Sequence, residues 1–82
     1  MHYSTDDLLY GLLAYKANYD IETKTLFLKQ EELPAIKKMV AGWLDCTVRT
    51  MGNHLHDLMD KGYIEYDSLN KRYIIKNYHE KY

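Results

Sequence analysis

The chain has 82 residues, which is enough for one small domain and excludes a second independent hydrophobic core. Apolar residues make up 46% of it, as in ordinary folded proteins, and the nine tyrosines need a fold that leaves many hydroxyl groups at the surface. The formal net charge of −1 excludes the uniformly basic surface that many nucleic-acid-binding domains present.

The sequence also indicates a compartment. The single cysteine, Cys46, cannot form an intramolecular disulfide, and the first residues show no charged start followed by an apolar run, as a secretory signal would. No apolar stretch approaches the roughly 20 residues that span a bilayer. We therefore expect a cytoplasmic protein without membrane contact.

A first amphipathic helix is expected from Thr5 to about Asn18, with Ser4 or Thr5 as its cap. Five apolar residues fall on one face, which should be buried: Leu8, Leu9, Leu12, Leu13 and Tyr15. The other side carries Tyr10, Ala14 and Ala17, which suggests contact with a partner or with the C-terminal tail.

Residues 18–24 are polar and lack periodicity, which indicates a connector, and residues 25–28 have the composition of a short strand. A separate turn at residues 30–33 can precede a second helix that begins at Pro34 and ends near Leu44. We expect Phe27 and Trp43 in the core.

The third helix has the clearest signals. Thr47 can cap its start, and Gly62 follows its last apolar residue, where helices commonly end. Its apolar stripe consists of Val48, Met51, Leu55, Leu58 and Met59. Residues 63–66 and 72–75 then form a β-hairpin.

Three helices followed by a hairpin, with only a tight turn between the second and third helices, is the element order of a winged helix-turn-helix. We therefore expect a mainly α fold with a small β-hairpin, of the α+β class, forming one domain over residues 1–82 with a wing of two or three strands. On the third helix, the side opposite the stripe carries Arg49, Thr50 and Asn53 first and Asp57 and Asp60 later.

That arrangement suits contact with double-stranded DNA. Arginine and asparagine can pair bidentately with guanine and adenine, and recognition helices use their N-terminal residues for such contacts. The predicted DNA-binding residues are Thr47, Arg49, Thr50, Asn53, His54, Lys37, Lys38, Lys71 and Arg72. The plain alternative is that these are ordinary solvated side chains.

Other chemistry has little support in the sequence. His54 and His56 are two positions apart on a helix and diverge by about 200°, so we predict no metal site and no cofactor. Cys46 is interpreted as a small turn residue. No paired acid and base, nucleophile constellation or glycine-rich phosphate loop is present, which argues against an enzyme.

A spaced pattern through the second half of the chain consists of Ala41, Leu44, Thr47, Arg49, Thr50, Leu55, Leu58, Lys61, Gly62, Tyr63 and Ile64. It resembles the winged helix-turn-helix domains of phage and plasmid replication initiators, replisome organisers and small bacterial transcription regulators. Two features depart from those families: Asp45 stands where they usually have glycine, and more residues separate Leu33 from Thr47.

The resemblance implies sequence-specific DNA binding in replication initiation or transcription regulation of a phage, plasmid or bacterium. A homodimer is expected, because two half-sites compensate for the small DNA surface that one module contacts. Its predicted interface residues are Tyr3, Tyr10, Ala14, Tyr78 and Tyr82. The alternative is a winged-helix module that binds a host or replication protein, which the acidic second half of the third helix and the net charge favour.

Overall fold

Residues 4–76 are described here from a computed structural model of the chain. The elements are, in chain order, α1 (Thr5–Lys16), β1 (Asn18–Asp20), β2 (Thr25–Lys29), a 3-10 turn (Gln30–Glu32), α2 (Leu33–Trp43), α3 (Val48–Asp60), β3 (Ile64–Asp67) and β4 (Arg72–Ile75). The predicted α+β class with three helices is confirmed, but the sheet has four strands where two or three were expected. Within residues 4–76, no helix is both long and apolar enough to cross a membrane.

The first helix begins where it was predicted, but the side that faces the core differs from the predicted side. The Ser4 hydroxyl accepts a hydrogen bond from the Asp7 amide, and the Asp7 carboxylate accepts one from the Ser4 amide. Leu8 and Tyr15, expected in the core, are 43% and 77% exposed, whereas Tyr10 is buried. Because α1 has apolar residues on both sides, its sequence pattern does not determine which side faces the core.

The prediction of a polar connector at residues 18–24 holds only for residues 21–24, because β1 forms at Asn18–Asp20 and pairs with β2 as an antiparallel hairpin. The Asp20 carboxylate accepts hydrogen bonds from the amides of Glu22 and Thr23, which closes the turn. Lys24 adopts a left-handed backbone with a φ of 56°. Side-chain hydrogen bonding in the turn therefore supports a strand that has no apolar alternation.

The four antiparallel strands are ordered β1-β2-β4-β3, so the strand before α2 lies next to the last strand of the chain. One face of the sheet carries Leu28, Ile64 and Ile75, all buried. Helices α1, α2 and α3 supply the rest of the core, which consists of Leu9, Tyr10, Leu13, Leu33, Val40, Ala41, Met51, Leu55 and Leu58. The sheet is therefore covered by helices on one face.

The turn between α2 and α3 has a left-handed residue at Asp45, with a φ of 55°. The Cys46 amide donates to the Ala41 carbonyl at 2.9 Å, which caps α2. Trp43 and Val48, both expected in the core, are 53% and 44% exposed. Trp43 is the last residue of α2 and Val48 is the first residue of α3, so both flank this turn at the surface.

We predict that Asp45→Gly raises the free energy of unfolding by about 0.5–1 kcal/mol. A left-handed backbone costs an L-residue roughly 1–2 kcal/mol, and the greater freedom of unfolded glycine offsets part of that gain. Chemical denaturation of the variant and the wild type measures the difference.

The matched control is Gly62→Ala, at a residue with a φ of 82° directly after α3. It should lower the free energy of unfolding by about 1–2 kcal/mol, because alanine introduces the strain that Asp45→Gly removes. A change of the same sign in the free energy of unfolding for both substitutions would contradict this account of the turn.

Candidate nucleic-acid interface

Helix α3 has a buried side and an exposed polar side. Met51 and Leu58 are fully buried, and Leu55 is 7% exposed. Arg49 and Asn53 are exposed, and their spacing of four residues places them one above the other on the opposite side. Thr50, next to them, is half-buried.

The start of α3 is capped by its own threonines. The Thr47 hydroxyl accepts a hydrogen bond from the Thr50 amide at 3.1 Å, and the two hydroxyl oxygens are 2.9 Å apart. This confirms Thr47 as the cap. The first turn has no acidic residue, so the partial positive charge of the helix N-terminus is not neutralised within the turn.

His54 lies between α3 and α1 rather than on the exposed side, unlike Arg49 and Asn53. Its Nδ1 atom is 2.7 Å from Oδ1 of Asp6, and its side chain is 27% exposed. The ammonium group of Lys61 donates to Oδ2 of the same carboxylate at 2.8 Å. Asp6 therefore joins α3, through His54, and the residue that caps the end of α3, Lys61, to the first turn of α1.

Two opposing effects act on the pKa of Asp6. Burial raises it, and the hydrogen bonds and charges of Lys61 and His54 lower it by more, so the pKa is below its ordinary value of 3.8. The hydrogen bond from Lys61 to Asp6 raises the pKa of the lysine. Both directions favour the ionised pair.

Asp57 lies close to this pair. Asp6, His54 and Asp57 each offer one ligand atom, and these atoms lie within 4.8 Å of one another, a grouping that could hold a cation. Because the Lys61 ammonium already balances the Asp6 carboxylate, we interpret the cluster as an ion-pair network. The pair His54 and His56 does not reveal this cluster in the sequence. The three-residue spacing of His54 and Asp57, which places them on the same side of α3, is the sequence signal for it.

Arg72 lies across the outer face of the sheet. Its guanidinium binds the carboxylates of Asp20 at 2.9 Å and Asp67 at 3.2 Å, and its central carbon is 4.8 Å from the centre of the Phe27 ring. One side chain of β4 thus contacts residues of β1, β2 and β3. Only 14% of it is exposed, so it is not placed to reach a phosphate as the sequence suggested.

The pKa values of this second network follow from its hydrogen bonds. The hydrogen bond from Arg72 lowers the pKa of Asp20, and those from Asn70 and Arg72 lower that of Asp67. The pKa of Arg72 is raised, mainly by the hydrogen bond to Asp20. The charge of Arg72 is therefore matched by acidic groups of the same chain.

The predicted lysines are distributed between α2 and the turn that joins β3 to β4. Lys38 and Lys71 are exposed, and Lys37 is half-buried. Lys37 and Lys71 line one surface groove together. The structure therefore brings together one predicted DNA-binding lysine of α2 and one of the turn between β3 and β4.

One residue expected at a dimer interface, Tyr10, is not available for that contact. Tyr10 is 7% exposed, packs edge-on against Tyr63, and donates a hydrogen bond to the Lys76 carbonyl. Ala14 is half-buried against the core. Tyr10 is thus an internal residue that contacts the end of β4, which corrects the prediction, while Tyr3, Tyr78 and Tyr82 lie outside the described residues.

We predict that Asp6→Asn lowers the free energy of unfolding by about 1–3 kcal/mol near neutral pH, because it removes a carboxylate that binds His54 and Lys61. The folded-state pKa of Asp6 is below 3.8, so its stabilisation is complete above that pH and is lost as the pH falls through the folded pKa. The difference between wild type and variant should therefore shrink below about pH 4.

Denaturant titrations at a series of pH values test this, with Asp60→Asn, at the exposed last residue of α3, as the control. The control should stay within about 0.5 kcal/mol of the wild type. A deficit of Asp6→Asn that is constant with pH would contradict an ionic role for Asp6.

No protein-family model, curated protein or solved structure matches this chain. The exposed polar side of α3 and the lysines of α2 and the hairpin turn are therefore the observations from which we infer a function.

Proposed function

We propose that this chain binds double-stranded DNA as a winged helix-turn-helix, with α3 in the major groove. The order of elements supports this proposal: two helices joined by a tight turn precede a hairpin, and β2, which comes before α2, pairs with the hairpin strand β4. The β3–β4 hairpin is then the wing. Strand β1 is an addition at the edge of the sheet.

The observation that carries the proposal is the exposure of Arg49 and Asn53 in the first half of α3. They lie about one turn apart, opposite the buried Met51 and Leu55. A guanidinium can donate two hydrogen bonds to O6 and N7 of guanine, and a carboxamide can pair with N6 and N7 of adenine. The pair has the spacing and chemistry to contact neighbouring bases.

The second half of α3 limits how the helix can approach. Asp57 and Asp60 are exposed there and would repel phosphates, so we propose that only the N-terminal turns enter the groove. The net charge of −1 also implies modest affinity for random sequence. Binding should therefore depend on base contacts more than on long-range attraction.

The biological setting that we propose is replication initiation or transcription regulation in a phage, plasmid or bacterium, following the resemblance of the α2–α3 segment. Binding as a dimer to two half-sites would double the contacted surface of a module this small.

We predict that Arg49→Ala with Asn53→Ala abolishes selection of a preferred sequence from a pool of random duplexes. Each lost bidentate contact should cost about 1–3 kcal/mol of discrimination, or roughly 5- to 160-fold. The matched control is Lys16→Ala, which removes an equal charge at an exposed position of α1. Selection by the double variant that equals that of the control would refute the assignment.

The second candidate, a winged-helix module that binds a protein, is favoured by one observation. Trp43 and Val48 are large apolar residues that flank the α2–α3 turn and are about half exposed. Tryptophan is prominent among residues that dominate protein interfaces. In that case the wild type would select no duplex at low salt, and Trp43→Ala would abolish binding to a partner that Arg49→Ala still binds.

A further inference from the structure

The turn of the β3–β4 hairpin is short and closed by its own side chains. Residues 68–71 connect the strands, and the Asp67 carboxylate accepts hydrogen bonds from the backbone amide and the side-chain amide of Asn70, at 3.3 and 2.8 Å. Lys71 is left-handed, with a φ of 51°. The turn is therefore not an extended loop that could lie along a DNA groove.

The arginine of the hairpin is already used within the protein. Arg72 is bound by Asp20 and Asp67 and stacks on Phe27, so withdrawing it would leave two carboxylates without their cation. Residues 64–75 contain two basic side chains, and the second of them, Lys71, is exposed. Lys71 is thus the hairpin side chain best placed to meet an anion.

Backbone contacts place Lys71 beside the start of α2. The Lys71 carbonyl accepts a hydrogen bond from the Gln30 amide at 3.0 Å, and the Tyr66 hydroxyl donates to the Gln30 side chain. These bonds join the turn to the 3-10 turn that leads into α2. The base of the hairpin therefore has a defined position relative to Lys37.

The two lysines share a groove that is lined by both polar and apolar residues. Lys37 and Lys71 line it together with Leu33, Pro34 and Tyr73, and Gln30 and Glu31 also contribute to its wall. With one carboxylate and two ammonium groups, its formal charge is +1. The positive charge of the groove suits an anionic group such as a backbone phosphodiester.

Resting on the proposed function, we infer that Lys37 and Lys71 form a clamp for neighbouring backbone phosphates of the duplex and that the β3–β4 hairpin reads no bases. The clamp is built from two elements distant in sequence, α2 and the hairpin turn. Base selection then belongs to α3 alone, and the hairpin fixes the position of the duplex.

The test is the dependence of affinity on salt, measured by fluorescence anisotropy with the full chain and its preferred duplex. The variant Lys37→Gln with Lys71→Gln should reduce the slope of log K against log salt by about 0.9 for each lost phosphate contact, so by about 1.8 in all. Its base preference should not change. Lys37→Arg with Lys71→Arg should restore the wild-type slope, and Lys16→Gln serves as the control for loss of an exposed charge.

The clamp is overturned if the double glutamine variant, shown by thermal unfolding to be folded, keeps the slope of the Lys16→Gln control. A change in base preference caused by Lys71→Gln alone would overturn the statement that the hairpin reads no bases. Absence of any duplex binding by the wild type would refute the proposed function itself, and with it the clamp. Binding with an unchanged slope would refute the clamp only.

Glu31→Gln gives an independent measurement on the same groove. It removes the negative charge that opposes the two lysines, so affinity for random duplex should rise. Unchanged or weaker binding would count against a phosphate in this groove.

Discussion

The burial of one side of α3 is the constraint on which the other features depend. Met51, Leu55 and Leu58 lie in the core, where α3 contacts α1, α2 and β3. Burying a side chain of this size contributes about 1.5–3 kcal/mol, so rolling the helix to hide Arg49 and Asn53 would expose several such groups at once. The exposed polar side is therefore a consequence of core packing, and any ligand of α3 meets it in a fixed orientation.

Two ionic networks connect the elements around this core. The charged residues in them are paired within the protein, and others remain exposed. Asp6 joins α1 to His54 of α3 and to Lys61 directly after it, and Arg72 joins the four strands through Asp20, Asp67 and Phe27. Each network binds its cation to one or two carboxylates, and the Arg72 network has a formal charge of −1, so neither network adds positive charge to the field outside the protein. The cations left exposed on α2, α3 and the hairpin turn define where an anion would be attracted, although the net charge is −1.

Features set by local sequence could be predicted, and features set by distant contacts could not. Short-range sequence patterns determine three features of α3: the cap at Thr47, the apolar stripe from Met51 to Leu58 and the left-handed Gly62. The helix accordingly begins after Thr47 and ends before Gly62, as predicted. His54 and Asp6 are 48 residues apart, and Arg72 and Asp20 are 52 apart. Because no local pattern records such pairs, His54 and Arg72 were assigned to DNA contact. The exposure of Trp43 and Val48 was missed because a periodic stripe does not show where the turn leaves its flanking residues uncovered.

The central claim is that the exposed side of α3 is the surface that meets DNA. It is tested most directly by recording amide chemical shifts of the isotope-labelled chain by NMR during titration with its preferred duplex. The account predicts that the largest shifts map to residues 47–53, with smaller ones at Lys37 and Lys71. Shifts concentrated at Trp43 and the acidic end of α3, with residues 47–53 unaffected, would contradict it.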